Sequence, residues 1–106
     1  MTETWDLSLL IDTATKIFDA RGMTGRHLGV EARHLPDHFF IDYVAPDNRG
    51  PFRRRLIKMA ARKLEIVRVR VLTRSEGSQE FFATLHDSPS EGKWWLMLAG
   101  SLRAKP

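Results

Sequence analysis

Residues 49–74 have the sequence RGPFRRRLIKMAARKLEIVRVRVLTR, and the period of the apolar residues changes within this stretch. The first half has helical spacing, carried by Phe52, Leu56, Met59, Ala60 and Leu64. This spacing predicts a helix over Pro51 to Leu64. From Ile66 onward, valines alternate with arginines, which is typical of a β-strand with one buried face. The stretch therefore predicts a helix followed almost directly by a strand.

Outward from this stretch, the same two periods predict the other elements. A first helix is expected over Asp6 to Arg21, where Leu7, Leu10, Ile11, Ala14, Ile17 and Phe18 form one stripe. Alternation or aromatic and β-branched content predicts four more strands, over His27–Arg33, His38–Val44, Gln79–His86 and Lys93–Ala99. The predicted fold is α+β, in the order αββαβββ, with an antiparallel sheet and two helices packed on one face.

The length of 106 residues fits one domain, which we expect over residues 1–100, followed by a flexible tail at 101–106. The chain has no cysteine, so disulfides and thiolate chemistry are excluded. The first apolar run, Leu7–Ile11, ends at Asp12 and is too short for a membrane span. These observations predict a cytoplasmic protein without a membrane partner.

Positive charge is concentrated in residues 49–74, which carry ten basic residues and one acidic residue, although the whole chain has a net charge of only +4. We expect the principal anion-binding cations to be Arg49, Arg53, Arg54, Arg55, Lys58, Arg62, Arg68 and Arg70. Three of them would lie in the first helical turn, where the helix dipole disfavours cations but favours a bound anion. A solvated basic face, paired with Asp47 or Glu65, is the competing interpretation. For the Arg–Val strand, protection of a sheet edge is the alternative.

Adjacent aromatic residues give a second indication of function. Phe39-Phe40, Phe81-Phe82 and Trp94-Trp95 lie in predicted strands, where neighbours point to opposite faces. One member of each pair can enter the core, and the other must lie on the second face of the sheet. We expect an interface there formed by Phe40, Phe82, Trp95 and Met97, most simply a homodimer contact. A heterologous partner, or a curled sheet that buries both faces, are the alternatives.

Catalytic and metal-binding patterns are weak. His34 and His38 are four residues apart, but Pro36 between them argues against a metal-binding helix. No nucleophile accompanies the His38/Asp42 or His86/Asp87 pairs, and a glycine-rich phosphate loop is absent. We therefore predict no metal, no cofactor and no catalytic residue.

The sequence favours a small non-enzymatic binding or regulatory module that contacts nucleic-acid backbone through residues 49–74. The alternative is a protein-interaction adaptor or inhibitor that docks an acidic protein surface or uses the open aromatic sheet face. A small enzyme whose site is assembled from loops is the third hypothesis.

Overall fold

The computed structural model describes residues 5–62, 66–73 and 77–100. Its strands are β1 (Leu7–Ile11), β2 (Ile17–Gly22), β3 (Val67–Thr73), β4 (Gly77–Asp87) and β5 (Trp94–Ala99). Its helices are α1 (Thr24–Leu28), α2 (Pro46–Arg62) and two short 3₁₀ helices, Ala32–His34 and Phe40–Tyr43. The α+β class and the antiparallel sheet agree with the prediction. The predicted order αββαβββ does not, because the chain opens with a β-hairpin and the helices of the described ranges lie between β2 and β3.

The five strands form one antiparallel sheet in the order β2-β1-β5-β4-β3. Leu9 of β1 lies opposite Leu96 of β5, which lies opposite Leu85 of β4. All three leucines are buried, and we call their side of the sheet the inner face. Because successive residues of a strand point to opposite sides, Leu10 and Trp95 belong to the outer face. Leu10 and Trp95 lie opposite each other and are both half-buried.

The predicted helix over Asp6 to Arg21 is wrong, because this stretch is the β1–β2 hairpin. Its turn is held by Asp12, whose Oδ1 accepts the N–H groups of Ala14 and Lys16, both at 3.0 Å. Thr15 follows with a φ of 68°, a left-handed conformation that a right-handed helix does not contain. Because of the length of this turn, the apolar residues of the two strands recur in the sequence at helical intervals, although they do not form a helix.

The strands predicted over His27–Arg33 and His38–Val44 are also wrong. The first stretch contains the end of α1, which is closed by Gly29 at a φ of 78°. The N–H of Gly29 donates to the carbonyl oxygen of Gly25 at 3.0 Å, as expected of a left-handed helix cap. The second stretch is largely the Phe40–Tyr43 3₁₀ helix. In both stretches, the apolar residues at alternate positions belong to short helices and their flanking segments, and not to the two strands of a hairpin.

Helix α2 begins at Pro46, five residues before the predicted start. Proline suits the first helical position, and Asp47 in the first turn complements the helix dipole. Pro51 therefore lies inside the helix, and the arginines at 53–55 lie beyond the first turn. The predicted end at Leu64 falls outside the described residues. The expectation that three arginines oppose the helix dipole is consequently wrong.

The residues before and within the start of α2 pair with the edge strand β3. Val44 forms a β-bridge with Val71, and the Ala45 N–H donates to the Arg70 carbonyl oxygen at 2.8 Å. In return, the N–H of Arg70 donates to Asn48 Oδ1 at 2.8 Å. These contacts satisfy part of an edge that would otherwise be open to pairing with another chain.

The three C-terminal strands agree with the prediction to within a few residues. Their buried residues join those of the hairpin and helices in one core cluster. Its fully buried large side chains include Leu9, Ile11, Phe40, Leu56, Met59, Phe81, Leu96 and Leu98. The core thus fills the space between the inner face and the segment 24–62, which we call the helical cover.

In the described part of the chain, no helix combines the length and apolar character needed to cross a membrane. The predicted tail at 101–106 lies outside the described residues, so the domain boundary at residue 100 stays a prediction.

Candidate functional site

Among the predicted cations, Arg49, Arg68 and Arg70 contact groups of the chain itself. Arg49 Nε donates to the carbonyl oxygen of Val44 at 2.9 Å, tying α2 to the segment before it. Arg70 Nη2 lies 3.1 Å from an Asp47 carboxylate oxygen. Arg68 Nη1 lies 4.0 Å from Glu80 on the neighbouring strand. Exposed ion pairs of this kind contribute only about 0–1 kcal/mol each, so the acidic partners hold Arg68 and Arg70 only weakly.

The remaining predicted cations lie on α2. Arg53, Arg54 and Lys58 are exposed. Arg55 and Arg68 line a small notch of about 160 Å³ between α2 and β3, together with Asn48, Pro51, Phe52 and Val67. The side chain of Arg62 lies outside the described residues. The structure therefore distributes the predicted cations over α2 and one sheet edge.

The four predicted interface residues separate into two groups. Phe82, Trp95 and Met97 are half-buried, and their strand positions place them on the outer face. Phe40 is fully buried and packs edge-on against Phe52 at a ring-centroid distance of 5.5 Å. The assignment of Phe40 to the second face is wrong, because this residue begins a 3₁₀ helix and points into the core.

The outer face carries a groove of about 310 Å³, which we call the outer groove. Its lining residues are Trp5, Ser8, Arg21, His86, Trp95 and Met97. The Arg21 guanidinium lies 4.8 Å from the centroid of the Trp95 ring, in cation–π geometry. Trp5 meets the His86 imidazole edge-on at 6.3 Å. The groove therefore combines indole surfaces with the guanidinium of Arg21.

The inner face offers a different kind of site. Its central row contains Leu7, Leu98, Ala83 and Val67, which lie opposite one another on four neighbouring strands and are all buried. Ala83 is the smallest side chain of this row and is 0% exposed. The row is an apolar wall beneath the helical cover, suited to contact with hydrocarbon and unsuited to a charged group.

Helix α1 contributes a buried polar residue, Thr24, and a histidine, His27, that contacts the inner face. Thr24 is buried, and the half-buried His27 ring meets Phe81 of β4 edge-on at a centroid distance of 5.2 Å. In an edge-on pair, the edge of one ring points at the negatively polarised face of the other, and this contact orients the His27 imidazole. A polar ligand end beside His27 would have an imidazole within reach, while its apolar remainder contacts the wall.

The first part of the helical cover is built from short pieces. Residues 24–43 contain helices of five, three and four residues. Its attachment to the hairpin includes Thr15, whose Oγ1 accepts the buried N–H of Ile41 at 3.1 Å. Short helices with few internal hydrogen bonds belong to the least stable parts of a domain. Residues 24–43 are therefore the part of the helical cover best suited to open.

An aromatic pair lies on the same cover. The rings of His38 and Tyr43 stack with an interplanar angle of 8°, and His38 Nδ1 lies 2.8 Å from the Tyr43 hydroxyl. Burial, with a smaller contribution from the negative charge of Asp42, raises the pKa of Tyr43 above its ordinary value. The hydroxyl therefore stays protonated to a higher pH than in an exposed tyrosine, and it lies within hydrogen-bonding distance of His38.

Sequence reasoning missed Trp5, Ser8, Arg21 and His27 as site residues. The first helix predicted over Asp6 to Arg21 concealed the outer groove, because it separated Ser8 from Arg21, which are direct cross-strand partners. Asp12 was the available signal for a hairpin, because aspartate commonly accepts backbone hydrogen bonds in turns. A helical stripe and a strand that buries one face can share the same apolar residues over five positions.

No family model matches the chain, and no curated protein matches it by sequence. Solved structures match it over nearly its full length. The PAS domain of the quorum-sensing receptor RpfR from Cronobacter turicensis, in complex with BDSF, aligns with a TM-score of 0.75 at 13% identity, covering 94% of this chain and 97% of that domain. The same domain in complex with C12:0 aligns with a TM-score of 0.73 at 14% identity, over 95% and 96% of the two chains.

A third match is the photoactive yellow protein domain of the sensor histidine kinase Ppr from Rhodospirillum centenum. It has a TM-score of 0.62 at 13% identity and covers 89% of this chain and 91% of that domain. At these identities the similarity shows the fold alone, which is PAS-like. The hypothesis of a nucleic-acid-binding module is contradicted, because the similar structures are receptor and sensor domains.

Proposed function

We propose that this chain is a small-molecule-binding sensory module that accepts an apolar ligand between the inner face and the helical cover. The observation that carries the proposal is the near-complete overlap with a receptor PAS domain in complex with C12:0. A ligand of that shorthand has a saturated twelve-carbon chain, and the apolar wall at Ala83 is suited to such a chain. Ligand pockets are typically apolar with a few placed polar groups, and His27 and Thr24 supply such groups here.

Entry of a ligand requires the cover to move, because the residues beneath it are buried from solvent. Leu56 and Met59 of α2 are 1% and 0% exposed, so hydrocarbon can enter only where they or α1 yield space. Methionine is the most adaptable of the apolar side chains, which favours Met59 as the residue that rearranges. Binding should therefore change the hydrogen exchange of residues 24–43 more than that of the central strands.

The experiment is a titration of delipidated protein with sodium dodecanoate, kept below its micelle concentration. Binding in the proposed position gives nuclear Overhauser contacts between ligand methylenes and the methyl groups of Val69 and Leu98. Ala83→Val adds bulk to the wall and should weaken binding by about tenfold, equivalent to about 1.4 kcal/mol. The matched control is Thr84→Val, which places the same side chain on the opposite face of the same strand.

Unfolding curves must first establish that both variants are folded, because adding methyl groups to a packed core typically costs about 1–3 kcal/mol. Failure of dodecanoate to bind saturably would remove this ligand class. Contacts confined to outer-face residues, or equal weakening by Ala83→Val and Thr84→Val, would contradict the proposed position.

A further inference from the structure

We infer that the outer groove is a second binding site, for a planar aromatic carboxylate. The inference goes beyond the proposed function and does not depend on it, because the two sites lie on opposite faces of the sheet. It rests on the cross-strand register, on the Arg21–Trp95 contact and on the shape of the groove.

The register gathers five of the six groove residues from four strands, and Trp5 lies just before β1. Ser8 of β1 lies opposite Arg21 on one side and Met97 on the other. His86 of β4 lies opposite Trp95 of β5. The floor is therefore fixed by the hydrogen bonds of the sheet and not by a loop. A floor of this kind positions side chains without the ordering cost that a mobile loop adds to binding.

Arg21 supplies the charge that selects a carboxylate. Its guanidinium covers the Trp95 ring at 4.8 Å, and its side chain is 70% exposed. Its own partner, Asp19, lies 3.7 Å away, beyond hydrogen-bonding distance, and Asp19 Oδ1 already accepts the Ala20 N–H at 2.8 Å. A ligand carboxylate at bidentate distance would therefore make a shorter contact to Arg21 than Asp19 does.

The apolar walls select a flat ring. Trp5 and Trp95 contribute indole surface, and Met97 contributes a polarizable thioether, which packs well against aromatic edges. The volume of about 310 Å³ lies at the lower end of small-molecule pockets, which suits one bicyclic acid. The Ser8 hydroxyl and the His86 imidazole provide polar groups beside the ring; His86 Nε2 is 2.9 Å from Thr84 Oγ1.

The same dimensions argue against a macromolecular occupant. A specific protein contact buries about 800 Å² on each partner, much more than the walls of this groove offer. Among the described lining residues Arg21 is the one permanent cation, which favours a ligand with one negative charge. A second copy of the chain is therefore an outcome to be tested and not the occupant we infer.

The test uses the full chain labelled with ¹⁵N and two probes, 2-naphthoate and 2-naphthylmethanol. The three indole N–H signals of Trp5, Trp94 and Trp95 are followed, each assigned from its Trp→Phe variant. 2-Naphthoate should shift the Trp5 and Trp95 signals saturably and leave the Trp94 signal in place, because Trp94 packs against the core on the other face.

Arg21→Gln should weaken binding of 2-naphthoate by about tenfold or more and abolish the preference for the acid over the alcohol. The matched control is Arg33→Gln, another exposed arginine that pairs with a neighbouring acid, Glu31, but lies outside the groove. This control should bind 2-naphthoate as the unchanged chain does.

Three results would overturn the inference. The first is that 2-naphthoate produces no saturable shift of the Trp5 and Trp95 signals, and the second is equal affinity for the acid and the alcohol. The third is that these shifts are absent while sedimentation shows a dimer, which would mean that a second copy of the chain occupies the groove. Dodecanoate binding to the inner face is measured separately by its contacts to Val69 and Leu98. Failure at one face is therefore distinguishable from failure at the other.

Discussion

Replacement of Thr15 by valine should destabilise the protein through one hydrogen bond. Thr15 is 0% exposed, and its Oγ1 accepts the N–H of Ile41, which is also buried. Valine has nearly the same shape and branching, so the backbone strain at a φ of 68° is similar in both proteins. The variant leaves the Ile41 N–H without its acceptor in a site that water does not reach.

The expected loss is about 1–3 kcal/mol of unfolding free energy, the usual cost of an unpaired buried donor. In a domain of this size each kcal/mol lowers the melting temperature by about 4–8 °C. Urea unfolding at equilibrium, followed by tryptophan fluorescence, measures the loss. Thr13→Val is the matched control, because Thr13 is exposed in the same turn, and it should change stability by no more than about 0.5 kcal/mol.

Hydrogen exchange locates the effect. The amide of Ile41 should exchange faster in Thr15→Val, while the amides of the central strands change only with global stability. Thr15→Ser keeps the hydroxyl oxygen that accepts the Ile41 N–H, so in this variant the Ile41 amide should change its exchange only with global stability. Unchanged stability of Thr15→Val, or unchanged exchange at Ile41, would refute this account of the cover's attachment.

Three further outcomes follow from local geometry. Gly22→Ala should lower the free energy of unfolding, measured in urea, by more than about 2 kcal/mol. Gly22 has a φ of 93°, and the new Cβ would lie 2.5 Å from a backbone oxygen. In the control Gly92→Ala the new Cβ meets no atom within 4 Å, so this variant should cost only the strain of positive φ. The pKa of Tyr43 is raised in the folded state, so the stability that this residue contributes is present below pH 10 and is lost as pH rises through the folded pKa. In Tyr43→Phe the urea midpoint should therefore decrease less between pH 8 and pH 11 than in the unchanged chain. Arg70→Gln should cost no more than about 1 kcal/mol, an effect that vanishes at high salt, because its Asp47 partner is exposed.

The C-terminal half of the fold could be predicted from the sequence because the periods there are unambiguous. Val67, Val69 and Val71 alternate strictly with polar or charged residues, and the observed strand buries those three valines. Helix α2 was also predictable, but its start was not. Two prolines, Pro46 and Pro51, each fit a first helical position, and only the contacts of residues 44–48 with β3 decide between them.

The N-terminal half was not predictable because both faces of its strands carry apolar residues. Leu10 lies on the outer face beside Trp95, so it breaks the simple alternation of Leu7, Leu9 and Ile11. With Leu10 counted as a core residue, the helical interpretation becomes the better one. The Asp12 turn was the one local signal for a hairpin, since aspartate commonly accepts backbone hydrogen bonds in turns.

Charge was the weakest guide to the candidate site. The basic residues are a property of α2 and the β3 edge, where Arg49 and Arg70 hold neighbouring segments in place. The two candidate sites instead depend on strand alternation, which separates the apolar wall at Ala83 from the outer groove at Trp95. The face on which a residue lies can be predicted only when its strand is assigned correctly. Because Arg21 was assigned to a helix, its place on the outer face was not predicted.

The attachments of the cover explain how a packed inner face can still admit a ligand. Thr15 fixes the cover near Ile41, and the bridge between Val44 and Val71 fixes it to the edge of β3. Just before Ile41, backbone hydrogen bonds with Thr15 and Ile17 also hold residues 37–40 to the hairpin, so the segment of the cover that can open lies before residue 37. Local opening of residues 24–35 would then expose the wall at Ala83 while the sheet and α2 remain folded. Thr15→Val should extend this opening toward Ile41 and speed dodecanoate entry, so the same variant connects the stability of the cover with access to the proposed site.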